Sequence, residues 1–441
     1  MKAYQSLIAL CMAGVLVTPL QAKAAASTVS LSLSDALTMA QENNYTVKSS
    51  RSRVDQAEAR IVQSRQSYLP KVTLSETLSV TNDPGAALVL KLQQNIVQQS
   101  DFMPERLNNP DVINDFNTTL QLMQPVYNAD AAIGRKMAFT AKKAQEQMTT
   151  RTEESIGLQV TRIYYALILA GRNLEAVEHS IRTMQAYSNE AARGYKAGLL
   201  TKSDKLSTEV RLAELVEQKM LLQDEIKNAT DALGVMLHLD SGVTIVPTGD
   251  LVIDSVPPSG NDNSIPENRA DLRALETARQ LAGYQEEMIR ASKLPRLNAF
   301  FQTNLHSDTV FSGGSSWALG MNMQWNIFDG MATSGRIQEA KAQAREAMFN
   351  YEAARNGSVA EIAKSFRSLK TAKARVAIAE KSLEEATISL DYIGAQYKSG
   401  MAMTFELLMR EQAYTYSKMR VNQAKFDYCM AKSELAYYRG N

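Results

Sequence analysis

The segment IGLQVTRIYYALILAGRNLEAVEHSIRTM, residues 156–184, decides the architecture of this chain. Its apolar residues Ile156, Val160, Ile163, Leu167, Ala170, Leu174, Val177, Ile181 and Met184 are spaced by alternating steps of four and three. That spacing is the narrow seam of a left-handed coiled coil, which buries one stripe on a partner helix and leaves the other faces wet. Outward from the seam, no proline interrupts the chain between Ala129 and Ala197. At ~1.5 Å per residue a single helix of that extent reaches roughly 100 Å. Such a rod is no central helix of a globule; something equally long must pack beside it.

The pattern returns in the second half. Val359, Ile362, Phe366, Leu369, Ala372, Val376, Ala379, Leu383, Ala386, Leu390, Ile393 and Tyr397 again step by threes and fours. The landmarks around the two rods recur in order. Tyr68-Leu69-Pro70 returns as Lys293-Leu294-Pro295, 225 positions later. Pro125-Val126-Tyr127-Asn128-Ala129 returns as Asn326-Ile327-Phe328-Asp329-Gly330, and Tyr195-Lys196-Ala197-Gly198 as Tyr397-Lys398-Ser399-Gly400, at offsets of 201 and 202. The chain is an internal duplication whose first half carries 24 extra residues, between about Thr81 and Asp115.

The expected organisation follows. A first repeat, 25–238, holds a helix, a β-hairpin at 71–127, the long helix 129–197 and a return helix 201–238. Residues 239–266, with Pro247, Pro257, Pro258 and Pro266, read as a linker or small irregular domain. A second repeat, 267–441, holds a helix, a hairpin at 296–328, the long helix 331–398 and a return helix 402–438. Ser32 or Ser34 caps the first helix, whose periodicity runs to about Tyr68 before Pro70 stops it. Gly198 and Gly400 suit the left-handed residue that closes a helix.

Lys plus Arg is 48 against 47 for Asp plus Glu in 441 residues, so no net field points to nucleic acid. Lys2, the apolar run Leu7–Leu20 and Ala22-Lys23-Ala24 read as a cleavable signal peptide, residues 1–24. Cys11 lies within it and lacks a lipid-attachment context, so the mature chain keeps Cys429 alone and no internal disulfide. Beyond the leader no window approaches a membrane-spanning helix, but strand barrels leave a much weaker, alternating signature.

That signature is present. Trp317, Leu319, Met321, Met323, Trp325 and Ile327 alternate with Ala318, Gly320, Asn322, Gln324 and Asn326. The extent matches the ~9–11 residues that cross a bilayer as a tilted strand. The two tryptophans, Trp317 and Trp325, fall where aromatic residues meet lipid headgroups. An ordinary sandwich strand would show the same alternation, but four strands are too few for a sandwich. Open edges are forbidden in lipid, so four strands must borrow neighbours from other copies: three copies for a barrel of twelve, two for eight.

In this order and with this duplication, the residues resemble the TolC family of outer-membrane efflux channels. Leu33-Ser34-Asp35-Ala36-Leu37, Tyr68-Leu69-Pro70, Gln124-Pro125-Val126-Tyr127-Asn128, Ala270-Asp271-Leu272-Arg273-Ala274 and Trp325-Asn326-Ile327-Phe328-Asp329-Gly330 carry the likeness over nearly the whole mature chain. The resemblance implies a mainly α fold with a transmembrane β part. It further implies a homotrimer with a 12-stranded β-barrel in the outer membrane of a Gram-negative bacterium, continued by a 12-helix α-barrel through the periplasm. The function implied is a passive exit duct of a tripartite efflux or type I secretion system, worked by a periplasmic adaptor and an inner-membrane RND or ABC pump.

The resemblance also assigns sites. Ala197, Gly198 and Leu199, with Ser399, Gly400 and Met401, match the tips that dock onto the adaptor. Tyr397, Glu406 and Asp204 match the periplasmic gate, although Asp204 and Glu406 would favour a helix N-terminus whatever their role. Ala402 and Met409 stand where a gating arginine and a second acid can occur, so an arginine latch at that point is not expected. No enzyme, cofactor or metal is expected: His179, His238 and His306 have no ligand spacing, and no nucleophile or phosphate-binding motif is present. The rival reading is a periplasmic coiled-coil structural or adaptor protein that never enters a membrane.

Overall fold

The computed structural model describes residues 28–240, 242–254 and 267–440. The leader expected at 1–24 and part of the segment 239–266 lie outside the described residues. In chain order the elements are β1 (Thr28–Leu31), α1 (Leu33–Asn43), α2 (Tyr45–Gln63), β2 (Lys71–Thr81), α3 (Pro84–Gln93), α4 (Pro104–Asn108), β3 (Ile113–Tyr127) and α5 (Ala129–Lys196). There follow α6 (Lys202–Leu237), β4 (Thr244–Pro247), α7 (Ala270–Ala291), β5 (Arg296–Ser307), β6 (Gly314–Gln324), α8 (Ala332–Lys398) and α9 (Thr404–Arg439).

Helix α5 pairs antiparallel with α6, and α8 with α9, giving two long hairpins. Val177, Met184, Leu215 and Leu222 fill one seam, and Leu390, Tyr397 and Leu407 lie in the same cluster. Farther from the turns Ile156, Val160, Tyr164 and Leu167 pack with Leu233, Leu237, Val421, Tyr428 and Leu435. Each fully buried aliphatic or aromatic side chain contributes roughly 1.5–3 kcal/mol, so the rods are held by their seams and not by exposed ion pairs.

Where periodicity predicts one helix from near Asp35 to about Tyr68, the chain has two. Ser32 starts α1 through a capping box with Asp35. Asn44 then leaves helical geometry (φ −63°, ψ 128°), and its side chain accepts the Thr46 amide at 2.9 Å to start α2. The Asn44 amide also donates to the Met236 carbonyl at 3.0 Å, and Tyr45 bonds His238 at 2.8 Å. The start of α2 therefore abuts the end of α6, and the two stack into one interrupted rod beside α5. The other half has the same joint: a Cβ on Gly440, just past α9, would stand 2.9 Å from the Cα of Arg269, just before α7.

Three further features depart from the sequence reading or add to it. The proline-bearing segment contains β4, which pairs parallel with β1; strands this short are below what alternation can signal. Tyr164 anchors that small sheet, donating to the Leu31 carbonyl at 3.0 Å and accepting the Gly249 amide at 3.1 Å. The last strand ends at Gln324, so Trp325 and Ile327 lie beyond it. Arg296, the first residue of β5, pairs with Gln324, and Pro295 before it has no N–H to extend the ladder. The extra residues of the first half, for which the sequence shows only a position in the hairpin, fold as α3, a 3₁₀ turn at Gln99–Phe102 and α4.

An ion cluster ties α5, α7 and α8 at the mid-level of the rods. Arg269 holds Asp271 through two bonds of 2.8 and 2.9 Å and Glu361 at 2.6 Å. Arg151 lies 3.5 Å from both Asp271 and the Tyr437 ring centroid. Burial alone would push the Asp271 carboxyl up, but the two guanidiniums outweigh it and hold it below the usual range.

Candidate functional site: the sheet faces and the helical tips

The four long strands form one antiparallel sheet in the order β2-β3-β5-β6, leaving β2 and β6 as unpaired edges. The register lines Val72, Leu122, Phe301 and Leu319 in one row and Leu74, Leu120, Thr303 and Trp317 in the next. Side chains in such rows share a face. None of the described residues covers it: Val72, Leu74, Leu78, Val80, Leu319, Met321 and Met323 are 57–70% exposed. An apolar surface of that breadth marks an interaction with lipid or protein. Glu76 breaks the face, accepting a hydrogen bond from Thr118 opposite.

The other face is polar through its middle, and its charges, Lys71 and Arg296 at the end near the rods and Asp115 at the other, stand at its two ends. Thr73, Ser75 and Thr77 of β2 share it with Asn117, Thr119 and Gln121 of β3, then Gln302 and Asn304 of β5. Thr119 donates to Asn304 at 2.9 Å, as does Gln302. Trp317 is the fourth residue of β6 and 73% exposed. Trp325, past the strand, donates its indole N–H to the Lys293 carbonyl at 3.0 Å.

At the opposite end of the rods the two hairpin turns are built alike. Gly198 and Gly400 take φ of +73° and +72°, a conformation that strains any residue with a Cβ. The amides of Leu199 and Met401 then reach back to the carbonyls of Gly194 and Gln396, each at 2.8 Å. Leu199 and Met401 are left among the most exposed apolar side chains of the chain.

The three expected gate residues are engaged within the chain. Asp204 caps α6, accepting from the Thr201 amide at 3.0 Å and its hydroxyl at 2.6 Å, and these bonds hold its carboxyl below the usual range. Glu406 caps α9 by accepting the Met403 amide at 3.0 Å. Tyr397 is buried with its ring edge-on to Tyr187, 6.0 Å between centroids. Gly394 permits this: a Cβ there would stand 2.2 Å from the Tyr187 hydroxyl.

One polar group near the tips escaped the sequence reading. Glu411 of α9, fully buried, takes Arg211 of α6 at 2.8 Å and the Thr415 hydroxyl at 2.6 Å. Ser180 of α5 bonds Thr415 at 2.6 Å, and one heptad farther Asn422 donates to Asn173 at 2.9 Å. The seam between the hairpins is thus polar here, whereas the seams within them are apolar. The available signal was Glu411 itself, a charge four residues after Leu407 on a coiled-coil seam. Cys429, the free thiol, is pushed up to about 11 by burial and is no nucleophile.

A family described as outer membrane efflux protein matches residues 36–237 and 263–441. The chain is 21% identical over 337 residues to the alkaline protease secretion protein AprF of Pseudomonas aeruginosa, covering 73% of this chain and 69% of AprF. It is 21% identical over 423 residues to the outer membrane efflux protein BepC of Brucella suis, covering 92% and 85%. Its fold superposes on the CmeC outer membrane channel of Campylobacter jejuni with a TM-score of 0.80 at 18% identity, covering 92% of this chain and 85% of CmeC.

Proposed function

This chain belongs to the outer membrane efflux protein family, and on that premise we propose that three copies close their sheets into one twelve-stranded barrel. The protein is an outer-membrane channel with a tunnel in the periplasm, the passive exit duct of an efflux or secretion route. The observation that carries the trimer is the sheet itself: two unpaired edges, one uncovered apolar face and one polar face. Edges cannot stand open in lipid, and joining β6 of one copy to β2 of the next removes all of them. The apolar face then meets acyl chains and the polar face lines the pore. A purely periplasmic coiled coil would leave that apolar surface in water.

In this reading the repeats 25–238 and 267–441 each supply one hairpin, and the six hairpins of a trimer form the tunnel. The tips at Ala197–Leu199 and Ser399–Met401 dock a periplasmic adaptor coupled to an inner-membrane RND or ABC pump. Rings of Asp204 and Glu406 favour cations at the entrance, and Tyr397 braces the constriction. Trp317 and Trp325 meet the headgroups. Outer-membrane fractionation followed by gel electrophoresis with and without heating tests the assembly. A heat-sensitive trimer is expected; a monomer that stays in the aqueous fraction without detergent overturns the reading. Asp204→Asn with Glu406→Gln should lower the cation preference of single channels in planar bilayers.

A further inference from the structure

The extra residues of the first hairpin are fastened to the polar side of the sheet, at the end far from the helical rods. Two strands, β3 and β6, report it independently. Asp115 of β3 accepts the Gln94 side-chain amide at 2.9 Å, and the same amide donates to the Asn114 carbonyl at 2.8 Å. His306 of β5 bonds the second Asp115 oxygen at 2.9 Å. Asp115, His306 and Gln94, the last of them the residue just after α3, are all buried. Gly314 of β6 pairs with His306, and a Cβ on it would stand 2.2 Å from the Gln93 carbonyl. Only glycine lets the insert lie this close.

Asp115 and His306 belong to the same face as Asn117, Thr119 and Asn304, the face that lines the pore. The insert leaves β2, bonds β3 and abuts β6, so it reaches from one edge strand of the sheet to the other. It is ordered within itself: Asp83 caps α3, and Lys91 pairs with the buried Asp101 at 2.9 Å. Val89, Leu92 and Ile96 remain about half exposed on it.

We propose that this insert folds inward over the outer end of the pore, so that three copies form a size-restricting collar at the extracellular exit. The inference rests on the trimeric barrel, whose polar face is the lumen. Size decides it: twelve strands ~4.8 Å apart and tilted ~40° enclose about 24 Å between backbones, and a helix is ~10 Å across. Three inserts pinned inside such a rim meet near its axis. The apolar side chains Val89, Leu92 and Ile96 then find their partners in the inserts of the other two copies. Cargo leaving the duct passes the collar last, and bulky solutes outside are kept from entering.

Intact cells carrying Gln121→Cys, a pore-face position of β3 inward of the collar, provide the test; buried Cys429 stays silent. A small membrane-impermeant maleimide and a bulky polyethylene-glycol maleimide are compared. In the full chain the bulky reagent should react at least about tenfold slower than the small one. Replacing residues 84–110 by a short Gly-Ser linker should abolish that difference. Gly314→Val, which displaces the Gln93 carbonyl while keeping the insert, should reduce it. Equal rates for the bulky reagent with and without the insert overturn the collar and leave the barrel standing. No labelling by either reagent in either form, in protein that fractionates with the outer membrane, overturns the barrel reading and the collar with it.

Discussion

The sheet and the coiled-coil hairpins use similar residues in opposite ways. In the hairpins Val177, Met184, Leu215 and Leu407 are buried to the last few per cent, and the charges stand mostly outside, with Glu411 and Arg151 as buried exceptions. In the sheet Val72, Leu74, Leu319 and Met321 stand outside, and Thr119, Gln302 and Asn304 bond one another on the protected face. One rule explains both, because apolar area leaves water wherever it can. The rods remove it against each other; no described residue covers the sheet's apolar face, which in the proposed barrel takes lipid. The difference teaches that burial within one chain is no measure of stability for a membrane part.

Substitutions separate the two regimes. The largest effect is expected where the hairpin rule is broken from within. Arg211→Met leaves the fully buried Glu411 carboxylate without its cation and should cost about 4 kcal/mol of stability. Replacing both, Arg211→Met with Glu411→Leu, should recover most of the loss in a double-mutant cycle read by denaturant midpoint. Leu215→Ala, at a fully buried seam position, should cost about 3 kcal/mol in the same assay. An equal loss from Ala at Leu319 would sink the contrast, since lipid refills that space.

On the sheet, charge and not volume discriminates. Leu319→Lys on the uncovered face should cost about 2 kcal/mol of membrane insertion, whereas Asn322→Lys on the polar face should change ion selectivity and little else. Thr201→Ala removes the α6 cap and should lower stability by about 1 kcal/mol. The smallest effect is a limb of the pH profile. The folded pKa of Asp271 is depressed, so the unfolded chain binds its proton first as pH falls. Its stabilisation is complete above the unfolded value of about 4 and is lost as pH drops through the folded one. Asp271→Asn should flatten that acid limb in thermal melts.

Legibility followed the range of the interactions. The heptad seams and the glycine turns at Gly198 and Gly400 are local, and the sequence displays them directly. The break at Asn44 was local too, but a cap inside a periodic run is masked by the apolar residues on both sides. The end of β6 was not legible, because Trp325 and Ile327 continue the alternation and only the register with β5 stops the strand. The gate candidates Asp204 and Glu406 were found by position, yet their partners turned out to be their own helix ends.

By itself the sequence determined the duplication, the rods and the alternating polarity of the strands, since period and polarity are properties of neighbours along the chain. Tertiary structure alone decided what meets across hundreds of residues: β1 with β4, Arg211 with Glu411, and the insert with Asp115 and Gly314. No local pattern records those pairings, because each depends on where the rods and strands bring their side chains after folding.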